Sequence, residues 1–510
     1  MFFFIWMDNP ASRANFFRSR HSDAILVPLI RKNLAALGWT FAPISIMFAV
    51  HQPKGWNAKS KIYQFTIGRS LMTLGTTKTT LRLVGAAVAG AVALGGGTAL
   101  AQTVKIGTPS FLTGAAAPAF GIPAKKGAEL IVRGINNGEL PAPYNNSGLA
   151  GRQIELLVYD EAGGGTKQVT ELRNKVQKDN VDAIIGIISS GTCAALTKVA
   201  EELKVLTIQT VCGTPRVFEE INKDPKYVFR TINHATANNV SAARYLAAKM
   251  KDKVKGFAGI NQNYAWGQDS WRDFELAMKT LIPAAKASTK PQFPKLFSGQ
   301  YGTEISALSR SRENIVHSSF WGGDLEAFIG QASARGLFKR KAFVLTVGET
   351  VAYRLGKKFP QGIMAGTRGP YGMYVVDDQT PLNQWFQREY RKAYGSPPSQ
   401  PAYQYAQGFL AAKYAYDKAA KAAGKFPSTD QVIAELRGAT FPTFVGNVKM
   451  GLSKGHQAIT DDRWGVTAWD EKRGEVVVKD VVVFPPECVN PPDGVGSIEW
   501  LKGGMKGASC

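Results

Sequence analysis

From Thr103 onward, short β-branched runs alternate with amphipathic stretches of helical length, and this alternation restricts the fold more than any other feature of the chain. Strand patterns at 103–108, 153–159, 182–188 and 205–209 are separated by helical patterns at 124–136, 167–178 and 193–203. A βαβαβαβ run of this kind predicts a mostly parallel sheet with helices on both faces. The alternation restarts after 227–232, with helices at 238–250, 266–281, 304–311 and 325–335 and strands at 256–259, 315–320 and 343–347. Beyond the segment 366–372 come three helical patterns, 382–394, 402–423 and 429–437, and then a β-rich piece from Phe444 to Phe484. Helices without intervening strands must pack on a sheet already built. The fold class is therefore α/β: two lobes with mostly parallel sheets, later elements returning to earlier sheets, and a cleft at the strand C-terminal ends.

Composition narrows the function. The 510 residues hold 45% hydrophobic and 20% charged residues, values of an ordinary folded multi-domain chain. Lys and Arg number 62 against 39 Asp and Glu, but eleven of the bases and only two of the acids lie in residues 1–101. Elsewhere the bases are interleaved with acids, as across 167–178 and 388–392, and no RNP or zinc-finger motif accompanies them. A solvated basic surface fits this pattern and a nucleic-acid function does not. There is no G-x-S-x-G elbow, phosphate loop or H-E-x-x-H. His234, His317 and His456 stand far apart without metal-ligand spacing, so neither an enzyme, a metal site nor a cofactor is expected.

From Met72 the chain reads MTLGTTKTTLRLVGAAVAGAVALGGGTALAQ: Lys78 and Arg82, an apolar run over 83–97, then Ala99-Leu100-Ala101. These are the three parts of a secretory signal peptide, and about fifteen apolar residues are too few to span a bilayer. We expect a signal peptide at 72–101, a mature chain from Gln102, and a periplasmic location. Residues 1–71 are then read as a non-native upstream extension, with export starting at Met72.

The order and spacing of IGTPSFLTGAAAPAFGIPAKKGAEL, INNGEL, GLAGRQIELLVYDE, VDAIIGIISSGT, YAWGQ, QASARGL, VLTVGE and YGSPPSQPAYQYAQGFLAA give the chain a family resemblance. It resembles the type I periplasmic binding proteins of branched-chain amino-acid ABC transporters, over nearly all of 103–484. The resemblance implies two Rossmann-like lobes joined by three hinge crossings, expected at 230–234, 366–372 and 440–451. The lobes would comprise 102–231 plus 370–440 and 232–366 plus 445–485, with 486–510 as a tail. It implies a monomer that closes on a small-molecule ligand, an amino acid or a close relative, and delivers it to ABC permease subunits. An amide or an aromatic carboxylate is the alternative ligand.

Site residues follow position by position. Ser189, Ser190, Gly191 and Thr192 stand between a strand and a helix, an anion site suited to a carboxylate, or else a plain helix N-cap. Where the family places a hydroxyl two residues before a proline, this chain has Gly213, leaving Thr214 as the nearby hydroxyl. Glu349, closing a strand pattern, occupies the position of the acid that pairs with a ligand ammonium, and is expected to face 189–192 across the cleft. Phe120, Tyr264, Trp266 and Trp321 stand at or near the cleft aromatics. Four cysteines allow three pairings; Cys193 with Cys212 is the expected bond, and Cys488 with Cys510 the second.

Overall fold

The computed structural model describes residues 102–375 and 380–510, together with four short strands nearer the N-terminus, and the signal-peptide reading of 72–101 lies outside these residues. The chain divides into two units, Met1–Gly97 and Thr98–Cys510. In the first, the strands Phe2–Phe4, Phe17–Arg18, Ser45–Ala49 and Ile62–Thr66 pair antiparallel into one sheet. The second contains both sheets of the expected architecture. Among the described residues no helix is long and apolar enough to cross a membrane.

The first sheet has the order β11-β12-β13-β5-β4-β3-β1-β2. Its parallel centre consists of β1 (Val104–Ser110), β2 (Ile154–Asp160), β3 (Ala183–Gly186), β4 (Leu206–Gln209) and β5 (Val228–Arg230). The connecting helices are α1 (Ile122–Asn137), α2 (Gly164–Gln177) and α3 (Ser190–Glu202). Side chains alternate across this sheet with the strand period of two. Ile185 and Phe229 face the cluster under α1, whereas their neighbours Ile184 and Val228 face the one under α2 and α3.

The second sheet runs β7-β6-β8-β9-β10-β14-β15. Here β6 (Gly256–Gly259), β7 (Lys286–Ala287), β8 (Ile315–Ser318), β9 (Ala342–Leu345) and β10 (Met364–Gly366) are parallel. The antiparallel strands β14 (Asp462–Asp470) and β15 (Glu475–Phe484) close one edge. On one face α4 (Ala235–Met250) and α5 (Ala265–Leu281) bury Val240 and Phe274, and on the other α6 (Gly302–Arg310) and α7 (Gly322–Ala334) bury Ile305 and Phe328. A short helix, α8 (Glu349–Leu355), follows β9 where the sequence reads as a strand end.

The chain then returns to the first sheet. α9 (Pro381–Tyr394), α10 (Gln400–Ala423) and α11 (Thr429–Leu436) pack beside α1, and β11 (Thr440–Pro442), β12 (Asn447–Leu452) and β13 (Gln457–Ile459) extend the sheet. This corrects two expectations. The third crossing lies at 460–461, not 440–451, and residues 447–459 belong to the first lobe. The reason is pairing: β12 forms an antiparallel hairpin with β13, which lies parallel to β5 through Gln457 and Arg230. Buried Arg230 donates through Nε to Gln457 Oε1 at 2.5 Å.

The crossings are laced together. Asn233 and Thr460 exchange two hydrogen bonds, Nδ2 to the carbonyl at 2.9 Å and the Thr460 amide to Oδ1 at 3.0 Å. Gln407 Nε2 donates to the Thr231 carbonyl and to the Tyr371 hydroxyl. Asp462, at the start of β14, accepts from the Gly369 amide at 3.1 Å. Each crossing is thereby bonded to another.

Both disulfides form, Cys193 with Cys212 and Cys488 with Cys510, with Cα separations of 6.4 and 4.7 Å. The first ties the start of α3 to the loop after β4 across a sequence separation of 19. Replacing Cys193 and Cys212 together by Ala should cost about 3 kcal/mol of stability through the enlarged unfolded ensemble. Urea unfolding of the double variant measures it.

Candidate functional site

Between the lobes lies a narrow slot with about 20 Å³ of free space, lined by Phe120, Ile188, Ser190, Val211 and Gly213 from the first lobe. Tyr264, Trp266, Trp321 and Val347 line it from the second, and Arg368 from the second crossing. Each wall residue follows the C-terminal end of a strand: Ile188 after β3, Val211 after β4, Trp321 after β8, Val347 after β9. That is where a doubly wound sheet leaves a crevice.

The aromatic walls are fixed in place. Trp266 Nε1 donates to the Ser319 carbonyl at 2.8 Å, and Trp321 Nε1 to the Tyr264 hydroxyl at 2.7 Å. Phe120 of the first lobe meets Trp321 of the second edge-on, with ring centroids 5.2 Å apart. The two lobes are therefore in contact around the slot.

Arg368 supplies the charge. It is 3% exposed, sits in the left-handed region at φ +55°, and its guanidinium lies 4.8 Å from the centre of the Trp266 ring. Its Nε and Nη1 have no hydrogen-bond partner. Burial lowers it to about 10, so the cation persists at neutral pH. The buried acid nearest in effect, Asp462, is already taken by the Gly369 and Arg463 amides, Ser241 and Asn238.

Of the expected residues the structure brings Phe120, Ser190, Gly213, Tyr264, Trp266 and Trp321 to the slot. The remainder are placed elsewhere, each for a visible reason. The amides of Ile188 and Ser189 at the start of α3 already hold an anion, the Glu161 carboxylate, at 2.8 and 2.7 Å. Thr192 also bonds to this carboxylate, and Gly191 is exposed. Burial lifts Glu161 to about 7 against the pull of those amides. Ser190 Oγ accepts from the Gly213 and Thr214 amides at 3.1 and 3.2 Å. Thr214 turns its hydroxyl away, to Asp269 at 2.6 Å.

Glu349 is the largest correction. It begins α8 instead of ending a strand, is fully buried, and its Oε2 accepts from the Gln400 amide at the start of α10, 3.0 Å away. It is absent from the slot lining. Burial raises its carboxyl to about 8 despite the Gln400 and Met373 amides. His317, His456 and His234 are all buried: His317 stacks on Phe274, His456 on Phe229, and His234 ends the first crossing.

The residues that sequence reasoning missed are Ile188, Val211, Val347 and above all Arg368. Its signal was present, a lone cation inside the glycine- and proline-rich crossing 366–372. Gly213 takes meaning from it. A Cβ there would overlap the Trp266 ring and stand 2.7 Å from Arg368 Nη1, so only glycine lets both close onto the first lobe.

A two-lobed α/β molecule with a closed slot at the strand ends is built to enclose a small solute. The chain belongs to the periplasmic binding protein family, in its type I branch, the family profile matching residues 103–474. Members of this family bind and deliver solutes and are not enzymes. The chain is 25% identical over 268 residues to the leucine-, isoleucine-, valine-, threonine- and alanine-binding protein of Pseudomonas aeruginosa, covering 52% of this chain and 66% of that one. It spans 48% and 41% of two further Leu/Ile/Val-binding relatives. Among solved structures it resembles a solute-binding protein of Rhodopseudomonas palustris BisB5 in complex with 3,4-dihydroxybenzoic acid, with TM-score 0.64 and 18% identity over 75% of this chain and 98% of that one. It also resembles a leucine-binding protein of Thermotoga maritima MSB8, with TM-score 0.59 and 18% identity over 74% and 99%.

Two predictions follow from this geometry. Gly213→Ser should leave the fold intact but hold the lobes apart, visible as a larger radius of gyration by X-ray scattering. Glu349→Gln should leave ligand affinity unchanged and flatten the dependence of stability on pH. The native acid keeps its proton to about pH 8, whereas the ordinary value is 4.5. Its contribution is thus complete below 4.5 and falls as pH climbs through 8, by on the order of a few kcal/mol. Urea unfolding of parent and variant at pH 5 and pH 8.5 reads the difference.

Proposed function

We propose that the protein is the solute-binding component of an ABC importer, acting as a periplasmic monomer, and that its ligand is a small aromatic monocarboxylate. The unpartnered Arg368 guanidinium inside an aromatic slot is the observation that favours this reading. A carboxylate about 4 Å from a guanidinium gains roughly 4 kcal/mol at an effective dielectric near 20. The slot's cation thus asks for an anion, and its walls ask for a flat apolar body. An α-ammonium brought into it would meet Arg368 and no acid of the slot lining, since Glu349 lies outside that lining and Glu161 is held by the α3 amides. The complex of the Rhodopseudomonas palustris protein with a dihydroxybenzoic acid supports the same ligand class.

An amino acid is the second reading, favoured by the binding specificity in the name of the Pseudomonas aeruginosa relative. Calorimetry with benzoate and with leucine separates the two. Benzoate should bind, and Arg368→Gln should weaken it by about 2 to 4 kcal/mol. Leucine should give no heat. Tight leucine binding with no response to benzoate would return the assignment to amino acids.

A further inference from the structure

After β15 the chain builds a compact C-terminal unit from α12 (Pro486–Val489), α13 (Ser497–Lys502) and the Cys488–Cys510 disulfide. Cys488, Val489, Trp500, Leu501 and Met505 are buried in the same apolar cluster as Trp271 and Phe274 of α5. Trp500 Nε1 donates to the Lys506 carbonyl, and the Ser509 amide to that of Glu487. The unit is thus folded onto the second lobe and closed on itself.

One of its residues reaches the first lobe. The Ser497 amide and hydroxyl both donate to the Glu219 carboxylate, at 2.9 and 2.6 Å. Glu219 lies on the helical turn Val217–Ile221, whose Val217 and Phe218 are packed in the first-lobe core. Just upstream the second lobe takes hold again: Asp269 of α5 accepts from Thr214 Oγ1 at 2.6 Å and from Arg216 Nε and Nη2 at 2.9 and 2.7 Å. The segment 214–219 is therefore gripped near both ends by the opposite lobe. It continues directly from Val211 and Gly213, which wall the slot.

We infer that the disulfide-closed C-terminal unit is a strap for the closed cleft, with Ser497 and Glu219 as positioning residues that slow the loss of ligand. A swing of the lobes about their crossings carries Ser497 and Asp269 away from 214–219, so opening must break these bonds. The strap holds from outside the wall that the ligand holds from inside. This rests on the slot being the ligand site.

The test uses the full chain with Ser497→Ala, Ser497→Thr and Glu219→Gln, benzoate as probe, and stopped-flow tryptophan fluorescence for release. In parallel, pulsed electron resonance between spin labels at exposed Lys178 and Lys339 reads the distance between lobes. Ser497→Ala and Glu219→Gln should each speed release about three- to tenfold and lengthen the interlobe distance, with little change in the melting temperature of the unliganded protein. Ser497→Thr, which keeps both donors, should restore parent behaviour. Unchanged release and distance in both weakened variants would overturn the strap, as would lost thermal stability at an unchanged distance. If the parent fails to bind benzoate, the ligand assignment falls, and the distance measurement still decides the strap.

Discussion

Three crossings of the chain, bonded to one another by Asn233, Gln407 and Asp462, determine how two separately cored sheets meet. Everything at the interface depends on that register. Aromatic residues from the second lobe fit against first-lobe strand ends only because the crossings fix the offset between the sheets, and Arg368 sits on one of those crossings. A hydrogen-bonded hinge is stiff across its width yet free to bend, which suits hinge closure about a ligand.

The slot is organised by charge. Its surroundings hold several buried acids, each with its own protein partners: Glu161 on the α3 amides, Asp462 on Gly369 and Ser241, Glu349 on α10. Of the residues that line the slot, Arg368 is the one left with buried side-chain nitrogens, Nε and Nη1, that have no partner. Such asymmetry defines a ligand more sharply than the shape of a cavity, because a buried polar group without a partner is costly and a complementary one relieves that cost.

Much of the fold was legible because strand and helix periods are local. Ile184 and Ile185 announce a strand buried on both faces, and the amphipathic pattern of 266–281 reappears as α5 within one residue. The third crossing was illegible for the opposite reason: whether 447–459 joins one sheet or the other depends on Gln457 meeting Arg230 some 227 residues away, which no local pattern encodes. In the site, the aromatic positions and Ser190 were readable as strand-end residues. Glu349 was misplaced because a strand end and a helix start look alike in sequence, and the turn sends its carboxylate toward Gln400 instead of the cleft. Arg368 was overlooked because its role comes from a left-handed backbone and from the missing side chain at Gly213.

Arg368 also turns the closed shape into a conditional one. With the lobes shut and no anion beside it, a desolvated cation stays uncompensated, whereas parting the lobes lets water reach it. On the ligand reading proposed above, this cation would act as an electrostatic spring, compressed by closing and released by the arrival of a counter-ion. A membrane partner that distinguishes shut from parted lobes would read occupancy from outline alone, and the chemistry of the cargo would be inspected once, inside the slot.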